Sequence, residues 1–225
     1  MKKYILVTEK KWHDSLFHSL EKRSGEQWKR MLTQDDFSLD ALNSFQPDIV
    51  FIPHWSYIIS DQIFTRYECI VFHMTDLPYG RGGSPLQNLI VKGHKATQIS
   101  AMRVSQGIDT GDVYQKKPLS LQGTAHDIFL RSTKIIETMI NEIIIQKPTP
   151  KPQEGKPTLF KRRKREDGNL QELNELKLVL DYIRMLDCEG YPPAFLETEN
   201  FTFEFTNANM QDDKIINANV RIFQK

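Results

Sequence analysis

Two short segments carry the side-chain types that chemistry at an amine or a carbonyl would need. Phe72–Ser84 reads FHMTDLPYGRGGS and holds His73, Asp76 and Arg81 among Pro78, Gly80, Gly82 and Gly83. Proline fixes φ and glycine opens the left-handed region, so a loop this rich in both has a specified shape. Gly107–Asp112 reads GIDTGD, a turn with Asp109 at its centre, 36 residues after His73. An imidazole titrates close to neutral pH, so a histidine can take up and return a proton, and a carboxylate beside it can orient the ring. Each signal alone has an ordinary explanation: a histidine after a strand is usually structural, and Asp and Gly make turns. Aspartic proteases also use an Asp-Thr-Gly triplet, but with a second carboxylate on an all-β body, and neither is indicated here.

The elements around these segments set where they meet. Lys3–Val7, Asp48–Ile52 and Cys69–Phe72 are continuous apolar runs of strand type, and Gln27–Leu32 is a further strand candidate. Lys11–Lys22, Leu39–Phe45 and Ser84–Gly93, the last with Pro85 at its first position, read as helices. Buried strands alternating with helices predict an α/β fold with an open, mostly parallel sheet covered on both faces. Ligands gather at the carboxyl ends of such strands, which directs attention to the loops after Ile52 and Phe72. Thr97–Val104 is expected to pair with Val113–Leu121, and the intervening turn returns Asp109 to the mouth where His73 sits. Thr124 reads as an N-cap with Asp127, opening a long helix to Gln146 with a stripe of Ile128, Ile135, Ile136, Met139, Ile140, Ile143 and Ile144.

The composition shifts at Lys147. KPTPKPQEGKP should be an extended connector, and Lys161–Arg165 follows as five consecutive basic residues. Glu172–Leu186 reads as an amphipathic helix with Leu173, Leu176, Leu180 and Ile183 on its packed face. Phe201–Phe205 and Ile215–Phe223 read as the arms of a hairpin. The expected organisation is therefore a catalytic domain over 1–146, a Pro-rich basic connector over 147–169, and a small C-terminal helix and hairpin region over 170–225.

Over 225 residues, 30 Lys and Arg balance 29 Asp and Glu, a net charge of +1 that gives no overall drive toward nucleic acid or anionic membrane. Cys69 and Cys188 are too few for a disulfide scaffold or a multi-cysteine zinc module, so no metal is expected. The apolar run Tyr4–Val7 is too short for an export signal, no window reaches the length of a membrane span, and the cytoplasm is the expected compartment.

FHMTDLPYGRGGSPLQ resembles the HxSLLPxxRGxxPxx signature of the 10-formyltetrahydrofolate-dependent formyltransferases, with His73, Leu77, Pro78, Arg81, Gly82 and Pro85 at matching positions. GIDTGDV is similar to the second signature of that family, and the interval between the two also fits. The resemblance covers Lys3–Gln146 and implies a Rossmann-like formyltransferase fold. FKRRKRED and IRMLDCEGYPPAFLE resemble segments of the nucleotide-sugar N-formyltransferases, which implies formyl transfer from 10-formyltetrahydrofolate, without a metal, to the amine of a nucleotide-linked amino-deoxysugar. The implied partners are that nucleotide-diphosphate aminosugar and folate, with a homodimer as an open option.

The resemblance also implies roles. His73 would take the amine proton or stabilise the oxyanion, and Asp109 would hold the histidine and a bridging water beside the folate. Trp55, Tyr57 and Ile58, in PHWSYII, would line the pteridine slot, with ordinary core aromatics as the alternative for Trp55 and Tyr57. Asp76, Arg81, Arg162 and Arg163 would bind substrate, the last two as forks on a diphosphate. Two positions depart from the family pattern. Val71 stands where an Asn usually lies two residues before the histidine, leaving Thr75, Asn88 or backbone N–H groups to serve the oxyanion. Asp76 replaces a Leu, either to grip a substrate ammonium or to cap its turn. Glycinamide ribonucleotide and methionyl-tRNA are the alternative acceptors, but the tRNA enzymes carry a longer C-terminal domain, so nucleic acid is not the expected partner. A folate-binding pseudoenzyme, suggested by Val71, and an RNA-binding protein, suggested by Lys161–Arg165, are the competing classes.

Overall fold

Strands apolar on both faces persist only inside a sheet that is covered on both sides, and the computed structural model, which describes residues 1–225, builds such a sheet. In chain order the elements are β1 (Lys2–Val7), α1 (Asp14–Leu20), β2 (Glu26–Met31), α2 (Leu39–Phe45), β3 (Ile49–Pro53), α3 (Asp61–Phe64), β4 (Cys69–His73), β5 (Arg81–Gly82), α4 (Pro85–Val91), β6 (Ala96–Arg103), β7 (Val113–Ser120), α5 (Ala125–Gln146), β8 (Leu159–Phe160), α6 (Leu176–Leu186), β9 (Ala194–Glu197), β10 (Phe201–Gln211) and β11 (Ile215–Gln224). They form two compact units, each assembled from separated stretches of chain. The first comprises Met1–Gly82, Thr97–Leu119 and Leu130–Leu159; the second comprises Gly83–Ala96, Ser120–Phe129 and Phe160–Lys225.

The first unit is organised by a six-stranded sheet in the order β2-β1-β3-β4-β6-β7. The β1/β2, β1/β3 and β3/β4 pairs are parallel and β4/β6 is antiparallel, the mostly parallel α/β sheet expected from the sequence. Its central strands are buried on both faces through Ile5, Leu6, Val7, Val50, Phe51, Ile52, Cys69 and Ile70. Edge strand β2 alternates instead between half-buried and exposed residues. On one face Ile5, Val7, Met31, Leu42, Val50, Ile52, Ile63 and Cys69 form one cluster. On the other, Phe51 stacks on Trp28 at 5.9 Å and lies 6.3 Å from Phe72. Burial pushes the Cys69 thiol up to about 12, so it stays protonated and unreactive. In the β3/β4 register Pro53 lies beside Phe72, so the carboxyl ends of the two strands open at one edge of the sheet.

The long helix starts as its sequence predicts. The Asp127 carboxylate accepts from the Thr124 N–H at 2.9 Å, and the Asp127 N–H donates to Thr124 Oγ1 at 3.2 Å, a reciprocal cap.

In the second unit, β9, β10 and β11 make a three-stranded sheet in the order β11-β10-β9. The hairpin arms are longer than expected, and β9 was not anticipated: AFLE is four residues long and does not alternate. The helix expected from Glu172 begins at Leu176. Its first turn is pre-empted: the Leu170 N–H donates to Phe195 O at 2.9 Å and the Leu173 N–H to Leu170 O at 3.0 Å, which ties that stretch to β9 as a turn. The packed face moves accordingly. Leu176 is exposed, while Ile183, Met185 and Leu186 are buried with Asp181. The Asp181 carboxylate is held by Arg184 at 2.7 Å, and Arg184 also donates to Leu121 O and Gly123 O, so the buried pair is anchored to the backbone by further hydrogen bonds. No helix is long and apolar enough to cross a membrane.

Candidate active site

His73 is the last residue of β4, and its side chain is 7% exposed. Its Nε2 lies 2.8 Å from the Gly80 carbonyl oxygen. A carbonyl only accepts, so Nε2 carries a proton and Nδ1 is the nitrogen left to exchange one. Nδ1 faces Asp109 Oδ2 at 3.5 Å. The same Oδ2 accepts the Gly82 N–H at 2.8 Å. Gly82 has φ +107°, which side chains rarely allow, so glycine is what lets this backbone donor face the carboxylate. The structure therefore brings together the two loops whose residues resemble the family signatures.

The loop over 107–112 is fixed from several sides. Thr110 Oγ1 donates to Gln106 O at 2.8 Å, and the Arg103 N–H donates to Asp112 O at 2.8 Å. A Cβ at Gly111 would lie 1.8 Å from the Arg103 carbonyl oxygen, so only glycine fits there. Asp109 itself has φ +53°. Gln153 reaches this loop from the proline-rich connector. Its Nε2 donates to Asp109 O at 2.9 Å and Gly111 O at 2.8 Å, while its Oε1 accepts from Arg81 Nε at 3.1 Å and Nη2 at 2.8 Å. Sequence reasoning missed Gln153, since it stood in a stretch read as a spacer. The available signal was one amide, with donors and an acceptor, in a segment stiffened by prolines. The connector is no free spacer: Lys151 and Val113 exchange both backbone hydrogen bonds, at 2.8 and 2.9 Å.

The loop after β3 presents Trp55, Tyr57 and Ile58. Ile58 is 81% and Tyr57 44% exposed, an apolar surface beside the strand end that carries His73. Trp55 is half-buried, edge-on to Phe37 at 6.0 Å and to Tyr57 at 5.2 Å, and packs on the core cluster. His54, at φ +51°, has its Nδ1 2.8 Å from His13 Nε2 and its Nε2 3.0 Å from Met74 Sδ. His13 Nδ1 lies 3.0 Å from Thr133 Oγ1. Burial drives His54 down to about 3 and His13 well below its usual value, so both are neutral and join the loops after β1, β3 and β4.

Three expectations need correction. The Asp76 carboxylate does not cap its own turn but pairs with Lys116 Nζ at 2.6 Å. Val71 sits mid-strand between Ile52 and Met102, and both side chains named as substitute donors are engaged elsewhere. Thr75 Oγ1 is fully buried and points to Gly80 O, and Asn88 Nδ2 serves the carbonyls of Gly83, Ser84 and Lys161. Backbone N–H groups remain. Finally, Arg162 and Arg163 do not form two equivalent forks. Arg163 donates to Asp167 O at 2.6 Å and lies 5.3 Å over the Tyr182 ring, with its N–H on Ser84 Oγ. Arg165 lies 4.5 Å over Phe195, with Glu197 and Glu204 each at 3.9 Å. Lys161, Arg162 and Lys164 are exposed.

Residues 7–128 match the model of the formyl transferase family, and residues 165–223 match that of the methionyl-tRNA formyltransferase C-terminal domain. The structure of methionyl-tRNA formyltransferase from Clostridium thermocellum is 42% identical, with a TM-score of 0.97 over 100% of both chains. Methionyl-tRNA formyltransferase of Rickettsia bellii is 26% identical over 207 residues, 84% of this chain and 66% of that protein. HypX from Aquifex aeolicus, solved in complex with tetrahydrofolic acid, shares the fold at 17% identity and a TM-score of 0.75, over 91% of this chain and 37% of that one. The chain spans between half and two thirds of the length of the curated relatives it matches most extensively. These likenesses overturn the nucleotide-linked aminosugar as acceptor and partner. The C-terminal stretch, read from sequence as too short for a tRNA enzyme, is itself the part that matches the tRNA enzymes' C-terminal domain.

Proposed function

The chain belongs to the formyl transferase family, and from that premise we propose that it transfers a formyl group from 10-formyltetrahydrofolate to the amine of methionyl-tRNA. The observation that carries the reading is the His73–Asp109 pair, with Nδ1 facing a carboxylate already held by a backbone N–H, in a chain similar end to end to the Clostridium protein. Bound 10-formyltetrahydrofolate supplies the electrophilic formyl carbon and a nitrogen leaving group. The exposed Tyr57 and Ile58 and the edge of Trp55 suit the flat, largely apolar face of a pterin. His73 Nδ1 accepts the proton that the attacking amine loses, and the Asp109 carboxylate lies against that proton once it arrives. The Gly80 carbonyl holds the ring by Nε2, so only Nδ1 turns over. Arg81, oriented by Gln153, offers its remaining donors to an anionic group of a substrate. Exposed Lys161, Arg162 and Lys164 suit the phosphate backbone of a tRNA.

The test is to incubate the purified chain with 10-formyltetrahydrofolate and initiator methionyl-tRNA and to measure formylmethionine after hydrolysis of the ester. Accumulation of formylmethionyl-tRNA with equimolar tetrahydrofolate is expected. Folate binding with no formylation of methionyl-tRNA rejects the acceptor.

A further inference from the structure

We propose that Gln153 is a positioning residue: its side-chain amide fastens the 107–112 loop to Arg81 and thereby holds the Asp109 carboxylate against His73 Nδ1. The inference rests on the formyl-transfer reading of that pair.

The orientation of the amide is set by its partners. Arginine only donates, so the atom facing Arg81 Nε and Nη2 is Oε1. Backbone carbonyls only accept, so the atom facing Asp109 O and Gly111 O is Nε2, and both of its protons are used. One side chain thus closes loops to residues 72, 44 and 42 positions away.

The Asp109 carboxylate has two supports. One is the Gly82 N–H, 2.8 Å from Oδ2. The other is the backbone of Asp109 itself, held at φ +53°, where a residue with a Cβ stays only if its surroundings keep it there. Gln153 grips the second support directly and the first through Arg81, the neighbour of Gly82. The His73 ring is held by Gly80 O, on the Arg81 side of the fastener, so the two donors to Asp109 O and Gly111 O act on the carboxylate alone. Loss of the amide donors therefore moves the carboxylate and leaves the imidazole in place. Displacements of about 1 Å at a reacting pair can cost on the order of 10²-fold.

Two variants separate the loop bonds from the arginine bonds. Gln153→Ala removes both, whereas Gln153→Glu keeps an acceptor for Arg81 and removes both donors to the loop. Both should lower kcat by about 10- to 100-fold, with the KM for methionyl-tRNA changed by less than about threefold. On an Asp109→Ala background, Gln153→Ala should cost nothing further, because its effect runs through a carboxylate that is gone. A Gln153→Glu variant with ordinary kcat, or losses that multiply in the double variant, overturns the proposal. A substrate-free measurement separates this from failure of the formyl-transfer reading. Gln153→Ala should speed amide exchange of residues 107–112 and shift the His73 ring ¹⁵N signals while other protected amides hold. If the wild type forms no formylmethionyl-tRNA, the acceptor reading falls, and unchanged exchange in that loop still overturns the role of Gln153.

Discussion

The 107–112 loop and the 161–165 run were both singled out by composition alone, and the structure treats them in opposite ways. In the loop, unlike groups at unlike positions receive distinct partners: a carboxylate on the Gly82 N–H and facing His73, two carbonyls on Gln153, a hydroxyl on Gln106 O. In the run, five like charges are divided. Arg163 and Arg165 lie over Tyr182 and Phe195, with Arg163 also on Asp167 O, while Lys161, Arg162 and Lys164 are exposed. A motif of mixed residue types states its own geometry because each position can do only one job. A run of one charge states only a sign, and its long side chains take whatever aromatic face or carboxylate is within reach.

The largest effect should come from the loop side of this contrast. His73→Ala removes the nitrogen that handles the amine proton and should lower kcat by about 10²–10⁴-fold in single-turnover assays with a folded variant. Near-ordinary turnover in that variant removes His73 from the mechanism. Asp109→Asn comes next. It keeps the shape and an acceptor for the Gly82 N–H but loses the charge facing Nδ1, and kcat should fall by roughly 10²-fold with folate affinity little changed. A charge-neutral Asn that works as well as Asp would mean that the carboxylate only shapes the turn.

On the other side of the contrast the effects are smaller and split by residue. Replacing Lys161, Arg162 and Lys164 together with Ala should raise the KM for methionyl-tRNA by at least about tenfold and flatten its dependence on salt. Replacing Arg163 or Arg165 should act on folding instead, since a cation–π contact contributes about 0.5–2 kcal/mol, a lowering of the Tm by a few degrees. If all five behave alike toward tRNA, the division seen in the structure has no functional meaning.

The contrast also explains what could be read in advance. Strands β1, β3 and β4 were legible because full burial leaves a continuous apolar run, and the His73 and Asp109 loops because glycines and prolines mark shapes that other residues cannot take. β9 was not legible, since four residues without alternation carry no period. The start of α6 was hidden because Phe195, 25 residues beyond Leu170, takes the backbone bond that keeps the expected first turn from winding. Asp76 could not be assigned because its partner Lys116 is distant in sequence. The acceptor was misjudged for a related reason. The aminosugar was inferred from the likeness of FKRRKRED and IRMLDCEGYPPAFLE to sugar-formyltransferase segments, and methionyl-tRNA was set aside on the length of the C-terminal part; neither carries the pattern by which residues 165–223 match the tRNA enzymes' C-terminal domain.

The smallest effect on turnover, and a separate one on stability, should come from the histidines beneath the site. His13 and His54 are neutral because burial penalises their charged forms, His54 down to about 3 and His13 well below its usual value. In the unfolded chain both titrate near the ordinary histidine value of about 6.5. Below that pH the unfolded state binds protons that the folded state refuses, so stability is full above about pH 6.5 and is lost as the pH falls toward the folded values. Each histidine can contribute at most roughly 1.4 kcal/mol per pH unit within that window. Urea midpoints measured from about pH 7.5 to about pH 5 should therefore fall steeply, and His54→Gln should remove about half of the slope. The variant also loses the hydrogen bond to His13, so it should start less stable at neutral pH, by about 1 kcal/mol, and cross the wild type on acidification. Amide exchange at the loops after β1, β3 and β4 should loosen first, because those are the loops that His13, His54 and Met74 join. Parallel urea profiles for wild type and His54→Gln would show that His54 takes up its proton as readily in the folded chain as in the unfolded one.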